Sequence, residues 1–385
     1  MKSWILGAAT VSAAIVAAAL GASAVSSSGG VTSRAAKPAV SSAASPSAPV
    51  PPFTKDFFGM AMGADLTLLP DVQFDKELNT MNKIGVHWVR ASIPWSLVEP
   101  HGPVADEEDW ILIDRLVQTV QAEGMQLIGI IDSPPIWAGD AVPPVSGCPL
   151  VPPFKLDAYA TFAAEVAQRY TSSALSVLEI ENSPNLTGAW PTPDPCAYTY
   201  LLKHTYSAIK AVDPGILVLN GGVGGTRNNN GNIAGSAWMS ALYAKGAKGS
   251  FDALSFHPYS YPCSPSEGCT GRTWDDLPKV RQTMVANGDS AKKIWITEFG
   301  SPTGGVPSDG HVTEARQSSI MVDAMKQWIA VAWHGPFFVF EFRDFGTEPA
   351  DKSDWFGLVS NDYKHKKPAY FAYQYEATGK GVPPA

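Results

Sequence analysis

The sequence has few cysteines, no cluster of basic residues and no spacing typical of a metal site. Its 385 residues contain four cysteines, and neither a C-x-x-C nor a His-x-x-His spacing occurs, so no zinc site is predicted. The net charge is −8 and the isoelectric point is near 5.4. An acidic chain without a basic cluster disfavours nucleic acid and anionic membrane surfaces as partners. No G-x-G-x-x-G phosphate loop follows the first apolar run. We therefore predict neither a metal nor a cofactor.

The N-terminal segment is predicted to lie outside any fold. Lys2 precedes an alanine-rich apolar stretch at residues 4–20, and Ala22, Ser23 and Ala24 follow it. This pattern is typical of a secretory signal peptide over residues 1–24. The alternative is an uncleaved membrane anchor, for which about 17 apolar residues is short. Residues 25–52 are almost all Ser, Ala, Val, Gly and Pro, which predicts a disordered stalk.

The remaining residues, 53–385, are predicted to form one domain. We expect a secreted protein, either extracellular or associated with the cell envelope, that contacts no membrane beyond the export signal. We also expect it to be a monomer. Four cysteines in an exported chain predict two disulfide bonds. Cys263 and Cys269 enclose a short loop and are predicted to pair, which leaves Cys148 to pair with Cys196.

Short apolar runs alternate with segments of helical period along the whole domain. Eight runs have the length of strands: 57–63, 87–93, 126–132, 176–182, 216–222, 253–259, 294–300 and 337–344. Amphipathic segments lie between most of them, for example at 108–124, 156–170, 197–212 and 315–332. Eight strands alternating with helices predict a single α/β (β/α)8 TIM barrel. A doubly wound open sheet is the alternative.

Polar residues stand at the ends of several of these runs. In a (β/α)8 barrel the chemistry takes place at the C-terminal ends of the strands, where side chains from different strands converge. Glu298 is the strongest candidate, because it ends the apolar run IWIT and little else in that segment is polar. The other strand-end residues are Arg90, Trp95, Asp132, Asn182, Ser183, Asn220, His257, Tyr259, Arg343 and Asp344.

Several motifs, taken in order, resemble those of a known enzyme group. WITEFGSP at 295–302, ENSPNLTGAW at 181–190 and SFHPYSYP at 255–262 are similar to the strand-seven, strand-four and strand-six segments of clan A retaining glycoside hydrolases, closest in style to families 39 and 5. The resemblance covers about residues 57 to 376. It implies a cellulase-like TIM barrel that hydrolyses a poly- or oligosaccharide with two carboxyl groups.

The resemblance also implies roles for individual residues. Glu298 corresponds to the nucleophile, and Asn182 to the residue that bonds the sugar 2-hydroxyl. Tyr259 or His257 would orient Glu298, and Arg90 would lie beneath it and help to keep it ionised. Two plainer interpretations remain open. Arg90 can belong to an ion pair in the barrel interior, and His257 and Tyr259 can pack the loop after strand six.

Three tryptophans are candidate sugar-stacking platforms. Trp95, Trp137 and Trp190 follow predicted strands, and an aromatic face suits the CH face of a pyranose. Packing inside a loop is the alternative for each of them.

Ser183 departs from the pattern of the family. The acid/base glutamate of these enzymes follows the strand-four asparagine, and here that position holds serine, whose hydroxyl cannot donate a proton at neutral pH. Three interpretations follow: an engineered knock-out, a natural variant that uses another acid, or a glycan-binding pseudoenzyme. Glu181 is the substitute acid that we name, because in a regular strand it shares a face with Ser183. It would lie deeper along the strand, which argues against equal reach.

Overall fold

The computed structural model describes residues 53–63, 65–103, 108–225, 228–381 and 383. The predicted signal peptide (1–24) and stalk (25–52) lie outside the described residues. Eight parallel strands form one sheet in the order β5-β4-β3-β2-β1-β8-β7-β6. The strands are β1 Phe58–Ala61, β2 Trp88–Pro94, β3 Gln126–Asp132, β4 Leu175–Asn182, β5 Leu217–Gly222, β6 Leu254–Phe256, β7 Ile294–Phe299 and β8 His334–Phe340.

The sheet curls into a nearly closed barrel. Its two edge strands, β5 and β6, approach each other through isolated parallel bridges, Leu219 with Ala253 and Val223 with Phe256. Each of the eight predicted apolar runs contains or overlaps one strand. The prediction of a single (β/α)8 barrel is therefore confirmed, and the open doubly wound sheet is excluded.

A helix follows each strand in the described chain. These helices are α1 Asp71–Lys83, α2 Ile111–Ala122, α3 Leu156–Arg169, α4 Pro195–Val212, α5 Gly235–Ala244, α6 Leu277–Ala286, α7 Glu314–Ile329 and α8 Pro368–Thr378. In α2 the buried side chains are Ile113, Leu116, Val117 and Val120, which recur at the spacing of one helical face. Gly124 lies just past its end with φ of 70°, a conformation that glycine adopts without steric cost.

The barrel interior is filled by side chains of unequal size. Phe338 on β8 is fully buried against Gly59 on β1. A Cβ at residue 59 would lie 2.4 Å from the Phe338 ring, so only glycine leaves room for it. Burying such a ring contributes about 1.5–3 kcal/mol. The interior is a packed core, and the site must lie at the mouth.

Two disulfides fasten loops at the mouth. Cys148–Cys196 joins the loop after β3 to the first turn of α4, and Cys263–Cys269 closes a loop after β6. These are the pairings that the sequence predicts. Among the described residues, no helix combines the length and the apolarity that a membrane span requires.

Candidate active site

Arg90 lies at the centre of a buried ion network. It extends from β2 into the barrel and is 1% exposed. Its Nε and Nη2 donate to the two carboxylate oxygens of Glu179 on β4, at 2.7 and 3.1 Å. Its Nη1 donates to Oε1 of Glu298 on β7 at 2.8 Å. Because a guanidinium is always charged and only donates, it favours the ionised form of both carboxyls.

The second oxygen of Glu298 has a donor of its own. The Tyr259 hydroxyl donates to Oε2 at 2.8 Å, and Nδ1 of His257 lies 3.4 Å from the same atom. Burial and the neighbouring Glu298 charge raise the pKa of Tyr259 well above its ordinary value, so the phenol keeps its proton and remains a donor. The carboxylate of Glu298 is thus fixed in position from two sides.

Asn182 is held by the same guanidinium. Its Oδ1 accepts from Nη2 of Arg90 at 2.9 Å. This contact fixes the amide flip, so the Nδ2 group is the donor left for a ligand. Asn182 is only partly buried. The arrangement brings an amide donor to the same mouth as Glu298.

His257 occupies space that a glycine provides. A Cβ on Gly222, the last residue of β5, would lie 2.0 Å from Nε2 of His257 and 2.9 Å from Oε1 of Glu179. Burial, together with the Arg90 charge, lowers the pKa of His257 well below its ordinary value, so the ring is neutral. Its Nε2 is buried and contacts no hydrogen-bonding partner among the described residues.

A second pair of carboxyls lies at the ends of β3 and β4. Ser92 on β2 donates to Oδ1 of Asp132 at 2.5 Å. Burial raises the pKa of Asp132 to about 6, while hydrogen bonds from Ser92 and Ser133 and the charge of Arg90 oppose the increase. Burial, and then the nearby Asp132, raise the pKa of Glu181 well above its ordinary value. Oε1 of Glu181 is buried without a hydrogen-bond partner in the described chain.

The backbone of β4 leaves regular geometry at its end. Glu181 has φ of 65° and Ser183 has φ of 52°. The Glu181 amide donates to the Tyr159 hydroxyl on α3 at 3.0 Å, and the Ser183 amide donates to the Gly222 carbonyl at 2.9 Å. Strict alternation does not survive two residues at positive φ. The regular alternation, on which the expectation that Glu181 and Ser183 share one face depends, is therefore interrupted at these two residues.

Two of the three predicted stacking platforms are inside the protein. Trp95 is 0% exposed, stacks on Phe162, and donates from its indole to Glu99; Trp190 is 1% exposed. With no exposed ring face, neither can lie against a sugar in this structure. The sequence showed that each follows a strand but not that the loops cover it. Trp137 is only partly buried, and its indole donates to the Glu99 carbonyl at 2.8 Å.

Sequence reasoning assigned no role to three further polar residues of this region. Glu179 binds Arg90, Ser255 donates to Glu179 at 2.9 Å, and Asp132 faces Ser92. The signal for Glu179 was present, because an acid in the middle of an apolar run at a buried strand position requires a partner. Ser255 offers no comparable signal.

Comparison with known proteins gives structural relatives only. No family model matches the sequence, and no curated protein matches it. A family 39 glycoside hydrolase from Bacteroides cellulosilyticus WH2 has a TM-score of 0.63 at 21% identity; the match covers 86% of this chain and 65% of that one, so the chain spans about two thirds of its length. A monomeric β-xylosidase from Caulobacter crescentus CB15 has a TM-score of 0.61 at 20% identity, covering 84% and 68%. An exo-β-1,4-mannosidase from Opitutaceae bacterium strain TAV5 has a TM-score of 0.58 at 17% identity, covering 85% and 62%.

These similarities define the class of fold. The chain has the barrel architecture of glycoside hydrolases, family 39 among them. At such low identities the similarity shows the fold alone.

Proposed function

We propose that the protein is a glycoside hydrolase that acts on a poly- or oligosaccharide by retaining double displacement, with Glu298 as the nucleophile. The observation that carries the proposal is the environment of Glu298. One oxygen accepts from Arg90 and the other from Tyr259, at the mouth of a barrel of this class. An ionised, oriented carboxylate beside an amide donor, Asn182, is what attack on an anomeric carbon requires.

The neighbouring residues have defined tasks in this proposal. Asn182 donates to the sugar 2-hydroxyl, an interaction that strengthens in the transition state. Arg90 keeps Glu298 ionised while the substrate excludes water from the site. Tyr259 fixes the oxygen that does not attack, and neutral His257 packs beside it without adding charge.

Ser183 supports a second candidate function. Its side chain makes no hydrogen bond within the described chain, and a hydroxyl cannot replace a carboxylic acid in proton transfer. A glycan-binding pseudoenzyme would need only the cleft and its donors, since a fold does not determine function. The two functions differ in whether Glu298 forms a bond to the sugar.

The decisive experiment traps that bond. A panel of 2-deoxy-2-fluoro glycosides (xyloside, glucoside and mannoside) with dinitrophenolate as the leaving group needs no acid for departure. Peptide mass spectrometry should find one glycosyl group on Glu298, and none on the Glu298→Gln variant. A protein that binds oligosaccharide by calorimetry but is labelled by no member of the panel is the binding protein.

The site of action is part of the proposal. The two disulfides, Cys148–Cys196 and Cys263–Cys269, support export to an oxidising compartment. Intact mass of the protein recovered from culture medium, compared with that of the cell pellet, tests export and locates the cleavage site.

A further inference from the structure

Double displacement requires a group that first gives and then takes a proton, and Ser183 cannot do either. Any carboxyl that does so must lie at the mouth and change its protonation near neutral pH. Glu179 is excluded by its two-point contact with Arg90. Glu341, which follows β8, is also buried with a raised pKa, but its charged neighbours are Asp65, Arg343, Asp344 and Glu77, none of which belongs to the Arg90 network.

We propose that Asp132, the last residue of β3, is the acid/base of this site. The inference rests on the proposed hydrolase function and names the residue that supplies its proton. Asp132 pairs in register with Pro94 of β2. Pro94 lies two residues after Ser92 and four residues after Arg90, so Asp132 lies at the rim, closer to the mouth than the Arg90 network. The Arg90 charge acts on its carboxyl, which connects the two groups electrostatically.

The hydrogen-bond partners of Asp132 suit a group that changes its protonation state. Both are serine hydroxyls, Ser92 and Ser133. A hydroxyl donates to a carboxylate and accepts from a carboxylic acid, so these contacts survive in either state. Glu298 differs, because Arg90 can only donate to it. The chemistry of the partners therefore separates a carboxyl held by a cation from a carboxyl that can gain and lose a proton without losing its hydrogen bonds.

The charges around Asp132 support the same division. From β2 it faces Arg90, from β4 Glu179 and Glu181, and from α3 the hydroxyl of Tyr159. Burial outweighs the cation and brings the pKa of Asp132 to about 6. An acid/base group is most effective when its pKa lies near the working pH.

Glu181 transfers no proton in this proposal. Burial, and then the nearby Asp132, raise its pKa well above its ordinary value. Its unpartnered Oε1 is buried, which keeps it from the substrate.

The proposed reaction has two steps. An oxygen of Glu298 attacks the anomeric carbon and forms a glycosyl ester, while the glycosidic C–O bond breaks and its oxygen takes the proton of Asp132. The Asp132 carboxylate then accepts a proton from water, whose oxygen attacks the same carbon. The ester bond breaks, Glu298 regains its negative charge, and Asp132 is again protonated.

Aryl glycosides with phenols of graded acidity test the assignment. With Asp132→Asn we expect kcat/KM for the least acidic phenols to fall by about 10²–10⁴-fold, the usual contribution of general acid catalysis. The dinitrophenyl glycoside, which needs no acid, should be far less affected in its glycosylation step. The basic limb of the wild-type pH profile, expected near pH 6, should be lost. With Asp132→Ala, azide should accelerate turnover and yield a glycosyl azide of retained configuration.

Glu181→Gln is the matched control, because it removes the other carboxyl of this pair and keeps the size of its side chain. It should retain the basic limb and the wild-type dependence on phenol acidity. If these losses follow Glu181→Gln while Asp132→Asn behaves as wild type, the proposal is overturned and Glu181 is the acid. Labelling of Glu298 in Asp132→Asn shows that its site is intact.

Two further readouts keep the tests separate. If neither wild type nor variant is labelled at Glu298, the proposed function fails, and not merely the choice of acid. If Asp132→Asn does not fold, the wild-type profile of kcat/KM still decides. A basic limb near pH 6 supports Asp132, and activity that stays level from pH 5 to 8 overturns it.

Discussion

Glu298 and Asp132 both end strands of one barrel, yet their partners have opposite chemistry. Glu298 contacts the guanidinium of Arg90, and Asp132 contacts the hydroxyl of Ser92. On the Arg90 side, Glu179 and Glu298 share one cation. On the Asp132 side the pKa values of both carboxyls, Asp132 and Glu181, are raised. All four carboxyls are buried, so the two sides differ in the partners of the carboxyls and not in their depth.

The loops above the two sides also differ. The Cys148–Cys196 bond joins the loop after β3, which follows Asp132, to the first turn of α4. The Cys263–Cys269 bond closes a short loop after Tyr259, on the other side. Substitutions can therefore destabilise each side separately.

Removing the shared cation should have the largest effect. Arg90→Leu leaves Glu179 buried without a charged partner, and breaking a buried ion pair in this way costs about 3–5 kcal/mol. The free energy of unfolding from denaturant titration measures it. Adding Glu179→Leu to Arg90→Leu should recover much of the loss. A single variant as stable as wild type would show that the network does not hold the Arg90 side together.

The two disulfides should differ in the stability that they contribute. Chain entropy gives about 4 kcal/mol for the 48-residue separation of Cys148 and Cys196, and about 2 kcal/mol for the 6-residue separation of Cys263 and Cys269. Paired Cys→Ala variants, compared by thermal and denaturant unfolding, check the order. Equal losses would contradict the loop-length account.

Rising pH should destabilise the Asp132 side. The pKa of Asp132 rises from 3.8 to about 6 on folding, so its contribution is complete below pH 3.8 and is lost as pH rises through 6. This difference of about two pKa units corresponds to about 3 kcal/mol in the free energy of unfolding. The free energy of unfolding of Asp132→Asn, relative to that of wild type, should therefore increase by roughly that amount between pH 4 and pH 8 in denaturant titrations. Asp140→Asn, in an exposed loop, is the control and should show no such trend.

The smallest effect concerns the backbone at Ser183. A non-glycine residue in the left-handed region costs about 1–2 kcal/mol, and Ser183 has φ of 52°. Ser183→Gly should therefore raise the free energy of unfolding by up to about 1 kcal/mol, whereas Ser183→Ala should stay within about 0.5 kcal/mol because its hydroxyl has no partner to lose. Thermal unfolding of the two variants, measured side by side, compares them. A Ser183→Ala variant more stable than Ser183→Gly would contradict the explanation by backbone strain.

Much of the barrel was predictable because its signals are local. The run 126–132 became β3 without change, and the amphipathic period of 108–124 became α2. The run 337–344 was less well predicted: β8 starts at His334 and ends at Phe340. Glu341 and Arg343 belong to the loop that follows, where Arg343 contacts Glu77 on α1 at 2.6 Å. A strand boundary depends on pairing with neighbours that the run itself does not contain.

The site was predictable in part. That Asn182 and Glu298 lie together follows from their positions at strand ends, since parallel strands in a barrel end at one mouth. Arg90 lies within β2 and reaches them from below. The burial of Trp95 and Trp190 was not predictable, because it depends on Phe162, Phe154 and Tyr198, which other loops and helices bring into contact.

The sequence by itself determined the eight strands, their helices and the residue types that reach the mouth, because hydrophobic period and strand order are properties of the chain. It also determined that Ser183 carries no carboxyl. Only the tertiary structure decided which carboxyls contact a cation and which contact hydroxyl groups. Arg90 and Glu298 are 208 positions apart in the chain, and Ser92 and Asp132 are 40 apart. The pKa of a buried carboxyl depends on such distant partners and on the exclusion of water, and both exist only once the barrel has closed.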